Sequence, residues 1–340
     1  MTGNKQSRHI LTDLVIVLVC VGIILALFSI WDYGFRSPAS IKGEEVEIYI
    51  PPGTGFSGIR KILSREDLVK DDIRFDLLAR LMGVEQDLQA GEYRLHKGQP
   101  PYQLLQILAK GRTIKRVVTV PEGANIFQVA DILAARKLVE PKAFLDLCRD
   151  PAFLEELGLK GSSLEGYLFP DTYYFTRGTP QKEIARSMVS RAKEVWDQLQ
   201  QEIGPFGMTR HQIVTLASIV EKETGVTEER PLIARVFLER LKRGMLLQAD
   251  PTVIYGRGDF GERLHSKDLK EDQPYNTYVH KGLPPGPIAN PGRLALQSVM
   301  HPSEEVYLYF VSKNDGTHYF STRLDEHNRA VRKFQKNGKK

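Results

Sequence analysis

Leu14–Trp31 reads LVIVLVCVGIILALFSIW, an apolar run with no charge and no proline close to the amino terminus. At about 1.5 Å per residue such a helix reaches roughly 27 Å, enough to span a bilayer. Two fates are open to it, removal as a signal peptide or retention as an anchor. Ala26, Leu27 and Phe28 put an aromatic ring where signal cleavage needs a small residue, and Val17 and Val19 do not make Cys20 a lipoprotein site. The run therefore predicts an uncleaved anchor over 14–31, with a tail over 1–13 and a linker over 32–45. Lys5 and Arg8 precede it, whereas Asp32 and Arg36 nearly cancel after it. That bias puts the tail in the cytoplasm and the rest of the chain on the outer, periplasmic side of the inner (cytoplasmic) membrane.

The whole chain has 340 residues, long enough for more than one domain with its own core. Of its two cysteines, Cys20 lies in the apolar run, so no disulfide framework is available. A net charge of +5 is what a solvated surface gives, with attraction to an anionic membrane or polymer as the sharper alternative. No basic stripe with interleaved aromatics is present, and an exported domain does not meet nucleic acid, which excludes it as a partner.

VEIYIPPGTGFSGIRKIL (46–63) predicts a strand, a Pro-Gly turn and an amphipathic helix. The pattern returns at RVVTVPEGANIFQVADIL (116–133) with an offset of 70, Pro51 matching Pro121 and Gly53 matching Gly123. Between the copies, GEYRLHKGQPPYQLLQILAKG (91–111) supplies another strand and helix, so 46–155 reads as a duplicated β-α region. The strand, turn and helix resemble LysM modules, which bind N-acetylated sugars. A purely structural spacer is the alternative.

From about residue 160 the texture changes. LEGYLFPDTYYF (164–175) predicts a turn and an aromatic strand, 181–203 a helix, Thr209 the N-cap of an apolar helix, and 227–243 a helix with Pro231 in its first turn. LQADPTVIYG (247–256), PYNTY (274–278) and GLPPGPIANPG (282–292) read as loops rich in Tyr, Asn, Asp and Pro, where binding groups sit. Asn314-Asp315-Gly316 marks a hairpin, and a basic helix over 324–337 follows. Strands and helices do not alternate regularly, so 160–335 is predicted to be a mixed α+β domain.

The eight histidines include no ligand pair at helical spacing, which argues against a zinc site. GSSLEG is not a nucleophile elbow, and GRGDFG lacks the continuation of a phosphate-binding loop. Carboxylates remain, above all in TLASIVEKETG (215–225). On a helical wheel, Glu221 and Glu223 fall on opposite shoulders of the apolar face of Ile213, Leu216, Ala217 and Val220, and Lys222 points away. A glutamate in a half-buried cleft has a raised pKa and suits proton donation near neutrality. The competing role is an ion pair with Arg230 or Arg235. The wheel does not rank the two glutamates.

LEGYLFPDTY, ASIVEKET, ERLKRGMLLQADPTVIYG, PYNTYVHKGLPPGPIANPG and YLYFV…GTHYFS together resemble the endolytic murein transglycosylases of the YceG-like (MltG) type, in the same order and over most of 160–330. One departure is Gln273 before Pro274, where many relatives have serine. The resemblance implies a lytic transglycosylase that cuts the β-1,4 bond between N-acetylmuramic acid and N-acetylglucosamine within glycan strands and leaves 1,6-anhydro ends. It implies Glu223, followed by Thr224, as general acid and base, with Glu221 as second choice. Glu165, Gln248, Asp250, Tyr255, Tyr275, Asn276, Tyr278 and Asn290 are the candidates for substrate binding. Each has a loop-locking role as its alternative, Asn290 most of all, between Pro287 and Pro291. No metal or organic cofactor is required. The implied partners are peptidoglycan strands, the membrane and cell-wall synthases. Two other readings remain: a muramidase with Asp250 or Glu221 as second carboxylate, and a non-catalytic glycan-binding scaffold. The transglycosylase reading expects Glu223 in the deepest cleft beside Asp250 and Tyr275.

Overall fold

The computed structural model describes residues 3–36, 43–199, 207–261 and 263–336. It has two compact units: the chain up to Arg116 with Phe175–Thr179, and Val117–Tyr174 with everything from Pro180 onward.

The amino-terminal run is helix α1 (Gly3–Phe35). Within it Thr12–Phe35 is long and apolar enough to cross a membrane, and the large apolar side chains of Leu14–Phe28 are exposed. The helix outlasts the predicted anchor and takes up the start of the predicted linker, whose residues 37–42 lie outside those described. Packing explains the extension. Ile30 and Tyr33 are buried in the first unit's core, and Gly34 sits so close to Leu78 that a Cβ there would lie 3.0 Å from its Cδ1.

In that unit β1 (Glu45–Ile50) runs antiparallel to β2 (Gly91–His96), with Glu45 opposite His96 and Ile50 opposite Gly91. The alternation of β1 turns Ile48 and Ile50 inward. Between the strands lie α2 (Phe56–Arg65) and α3 (Ile73–Met82), and α4 (Pro101–Ala109) follows. Leu63, Leu68, Phe75, Tyr93, Leu104 and Leu108 fill the centre, with the rings of Phe56 and Phe75 5.6 Å apart.

The second copy has the same strand-helices-strand order. β3 (Lys115–Thr119) pairs with β4 (Thr172–Thr176) around α5 (Ile126–Ala135), α6 (Pro141–Cys148) and α7 (Pro151–Glu156). Both copies hold their turn glycine in the left-handed region, Gly53 at φ 78° and Gly123 at φ 73°. The division between units falls inside the predicted 46–155 region, because the second copy is bonded into the unit that follows it. Gly123 N–H donates to Asn290 O and Asn290 N–H to Ala124 O, both at 2.9 Å.

The rest of the second unit comprises α8 (Gln181–Leu199), α9 (Arg210–Glu223), α10 (Arg230–Lys242), α11 (Asp250–Arg257), α12 (Arg293–Met300), the hairpin β5 (Tyr309–Ser312) and β6 (His318–Ser321), and α13 (Leu324–Val331) with a turn continuing to Lys336. The predicted helix ends at 203 and 337 lie outside the described residues. Thr209 and Gln212 form a reciprocal capping box at the start of α9. One expectation is corrected: 250–257 is helix and not loop. Asp250 and Pro251 read as loop formers, but in a first turn the acid meets the positive helix end and the missing proline donor has no partner to lose. The fold is mixed α+β, with three two-stranded sheets among the described residues.

Phe75→Ala in the first unit's core is expected to cost about 3–5 kcal/mol. Calorimetry of the detergent-solubilised protein should show a lowered first transition; an unchanged thermogram contradicts this packing.

Candidate active site

Helix α9 is buried on every side over 213–220, including Thr215 and Ser218. Their hydroxyls donate to His211 O and Thr215 O, both at 2.7 Å, so the polar groups inside the helix are satisfied without water. A one-sided wheel describes such a helix only in part. At its carboxy end Glu221 and Glu223 leave in different directions.

Glu221 is tied down. Its Oε1 lies 2.7 Å from Arg230 Nη2, its Oε2 accepts from Gly292 N–H at 2.9 Å, and both charged side chains are buried. Burial raises its pKa, and the Gly292 hydrogen bond and the Arg230 charge oppose that rise. Of the two predicted ion-pair partners, Arg230 is the one used.

Glu223 is half-buried and accepts no hydrogen bond from any described residue. Burial and the nearby Asp250 carboxylate push its carboxyl up to about 8, against a partial offset from the Arg240 guanidinium. Arg240 is itself buried and held by backbone, donating from Nε to Leu308 O at 2.8 Å and from Nη1 to Leu247 O at 2.6 Å. Asp250 opens α11 and accepts from the Tyr278 hydroxyl. Burial and Asp250 together raise the pKa of Tyr278, which keeps it a donor.

The turn after Glu223 is locked from behind. Thr224 Oγ1 accepts from Val226 N–H at 3.0 Å and donates to buried Glu229 at 3.3 Å. Glu229 also accepts from His318 N–H at 2.8 Å and lies 2.7 Å from His318 Nδ1, which ties the β5–β6 hairpin to the end of α9. Gln248 is held at φ 54°, its N–H donating to Thr277 O at 3.1 Å.

The other predicted residues fall into two groups. Glu165, Asn276 and Asn290 are fully buried locks. Glu165 accepts from Ile126 N–H, the Tyr255 hydroxyl and Asn290 Nδ2 at 3.1, 3.0 and 3.3 Å, and burial raises its pKa to about 7. Asn290 also donates to Ala124 O and accepts from Leu168 N–H. Asn276 donates to Asp268 O and Glu271 O and accepts from Tyr278 N–H. Gly166, at φ 86°, lets the 164–170 turn press onto this centre, since a Cβ there would lie 2.5 Å from Pro287 and 2.8 Å from Val214. Exposed Gln248 and Asp250 and half-buried Tyr255, Tyr275 and Tyr278 remain accessible. Tyr275 packs on Tyr255, ring centroids 5.0 Å apart.

A cavity of about 810 Å³ has a different lining, among it His211, Gln212, Arg235, Leu238, Leu283 and Pro284. None of Glu223, Asp250 and Tyr275 lines it. Arg240 and His318 lie in the stretches 239–256 and 316–321 that carry the family resemblance, and Glu229 lies outside them; none of the three stands out in the sequence as a site residue, because their contacts join segments far apart in the chain.

A carboxyl with no hydrogen-bond partner among the described residues, its pKa raised to about 8 by burial and the neighbouring Asp250, is suited to donate a proton near neutrality. The chain belongs to the YceG-like family, whose model matches residues 48–333. It is 35% identical over 305 residues to the endolytic murein transglycosylase of Bacillus subtilis, covering 85% of this chain and 84% of that one. It is 31% identical over 318 residues to that of Streptococcus pneumoniae, covering 84% of this chain and 58% of the longer relative. A crystal structure of a yceG-like protein from Listeria monocytogenes matches with a TM-score of 0.59 and 32% identity, over 84% of this chain and 99% of that chain.

The two glutamates should differ in stability as they differ in partners. Glu221→Ala leaves buried Arg230 with only the looser contact to Glu122 at 3.7 Å among the described residues, an expected loss of about 3 kcal/mol. Glu223 has a folded pKa near 8 against 4.5 for the free side chain, so its contribution is full below about pH 4.5 and lost as pH rises through about 8. Glu223→Gln should remove that slope and equal or exceed wild type at about pH 9. Denaturant titrations across pH check both, and a destabilised Glu223→Gln protein at high pH contradicts the assignment.

Proposed function

We propose that this chain is a membrane-anchored lytic transglycosylase that cuts within peptidoglycan glycan strands, with Glu223 as its single acid and base. The observation that carries the reading is the contrast at the end of α9: Glu221 is bound by Arg230 and Gly292, whereas Glu223 has no hydrogen-bond partner among the described residues, and burial beside Asp250 raises its pKa to about 8. Family membership and the names of the relatives support the substrate and the reaction.

The reaction needs one proton shuttle. Glu223, neutral at the start, protonates the oxygen linking N-acetylmuramic acid to N-acetylglucosamine as the bond breaks. The C6 hydroxyl of the muramic residue then attacks its own anomeric carbon, and Glu223, now a carboxylate, takes the hydroxyl proton. The product is a 1,6-anhydro end, and Glu223 is restored. Internal attack supplies the proximity that a bound water would otherwise need. Asp250, fixed by Tyr278, faces the positive charge that develops on the sugar, and Arg240 balances the local charge.

The α1 anchor holds this chemistry at the outer face of the inner membrane, where new strands leave the cell-wall synthases, and cleavage there limits their length. The β-α copies add LysM-like affinity for N-acetylated sugars.

Glu223→Gln should lower turnover on purified glycan strands by about 10²–10⁴-fold. Wild-type activity should fall as pH rises through about 8, because the starting acid is then ionised. Mass spectrometry of the products should show anhydro-muramyl ends. Reducing muramic ends in their place would identify a hydrolase and overturn the reading.

A further inference from the structure

We infer that Phe127, Phe260 and Arg149 form an accessory subsite that grips the glycan strand several sugars from the cleaved bond, Arg149 taking a free carboxylate of a stem peptide. The inference rests on the function proposed above and extends it to residues outside the catalytic centre.

Four segments of the second unit, distant in sequence, bring their flat groups into one row. The Arg149 guanidinium lies 5.2 Å over the Phe127 ring, Phe127 is 5.4 Å from Phe260, Phe260 is 6.1 Å from Tyr255, and Tyr255 is 5.0 Å from Tyr275. Arg149 follows α6, Phe127 lies in the first turn of α5, Phe260 follows α11 and Tyr275 belongs to the 274–278 loop. The row is not core. Phe260 is 38% exposed, Arg149 is exposed and Phe127 is half-buried.

Helix α11 gives the row its direction. Asp250, the carboxylate that acts on Glu223, is its first residue; Tyr255 lies about 7.5 Å further along the axis, and Phe260 comes after the helix has ended. The row thus leads away from the reacting bond over the length of a few sugar rings. Pyranose rings have one face of C–H groups and an edge of hydroxyls, and exposed aromatic faces match the first while leaving the second to water.

Arg149 adds a charge criterion. No described carboxylate lies within ion-pair distance of it, although its field is felt by Glu165 and Tyr255. The Arg149 guanidinium sits over the Phe127 ring on an exposed side chain, and a guanidinium offers a carboxylate two parallel N–H hydrogen bonds. The stem peptides of peptidoglycan carry free carboxylates at intervals along the strand, so the pairing of ring faces and one cation fits a peptide-bearing strand better than a bare polysaccharide.

Affinity is measured on the full-length protein in detergent, in the Glu223→Gln background so that no strand is consumed. Labelled strands of about four and about eight sugars, with and without stem peptides, are titrated by fluorescence anisotropy. We expect Phe260→Ala to abolish the tighter binding of the longer strands, about a tenfold loss. Arg149→Glu should weaken peptide-bearing strands about tenfold more than peptide-free ones. Phe260→Trp should retain binding and shift its emission when strands are added, which guards against a misfolded alanine variant. Unchanged length dependence in Phe260→Ala, a silent Phe260→Trp, or an Arg149→Glu protein blind to the stem peptide would overturn the subsite. If the wild-type protein produces no anhydro ends from the same strands, the transglycosylase reading fails instead, and the two failures are told apart.

Discussion

A charge at the end of a helix buried on every side must be answered by a partner or given up, and the end of α9 does both. Glu221 keeps its place through Arg230 and Gly292; Glu223, near Asp250 and with no hydrogen bond among the described residues, has its pKa raised to about 8. The remaining architecture maintains that difference. The Thr224, Glu229 and His318 contacts fix the turn that follows, and Arg240, anchored on two carbonyls, keeps the local field from becoming wholly negative.

The duplicated β-α pattern takes on a meaning beyond spacing. Its second copy shares a unit with α9 through Asn290, which bonds Ala124 and Glu165, and through Glu165, which bonds the first turn of α5. Lys222, pointing away from the apolar face, reaches Gly123 O at 3.3 Å. Glu165, Asn276 and Asn290, candidates for glycan contact by type, are buried and hydrogen-bonded to the loops around this frame. Tyr255, Tyr275, Tyr278, Gln248 and Asp250 stay accessible.

Much of this was legible in the sequence. The anchor, the two copies, the Thr209 cap and the hairpin follow from local patterns, because each depends on residues near one another in the chain. Helix α11 was missed because Asp-Pro reads as a turn until its place in a first turn is known. The ranking of Glu221 and Glu223 was out of reach of a helical wheel, since it depends on Arg230, Gly292, Asp250 and Arg240, brought in from separate segments. The aromatic row was hidden for the same reason: Phe127, Arg149 and Phe260 are scattered singly and become a feature only when folded.

The most direct test of the account is the ionisation of Glu223 itself. Difference infrared spectroscopy of the carboxyl C=O band, wild type minus Glu223→Gln, gives its titration in the intact protein without substrate. The account predicts a protonated carboxyl at neutral pH with its midpoint near 8. A midpoint near the ordinary 4.5 would contradict it, since a glutamate already ionised at neutrality has no proton to give the glycosidic oxygen.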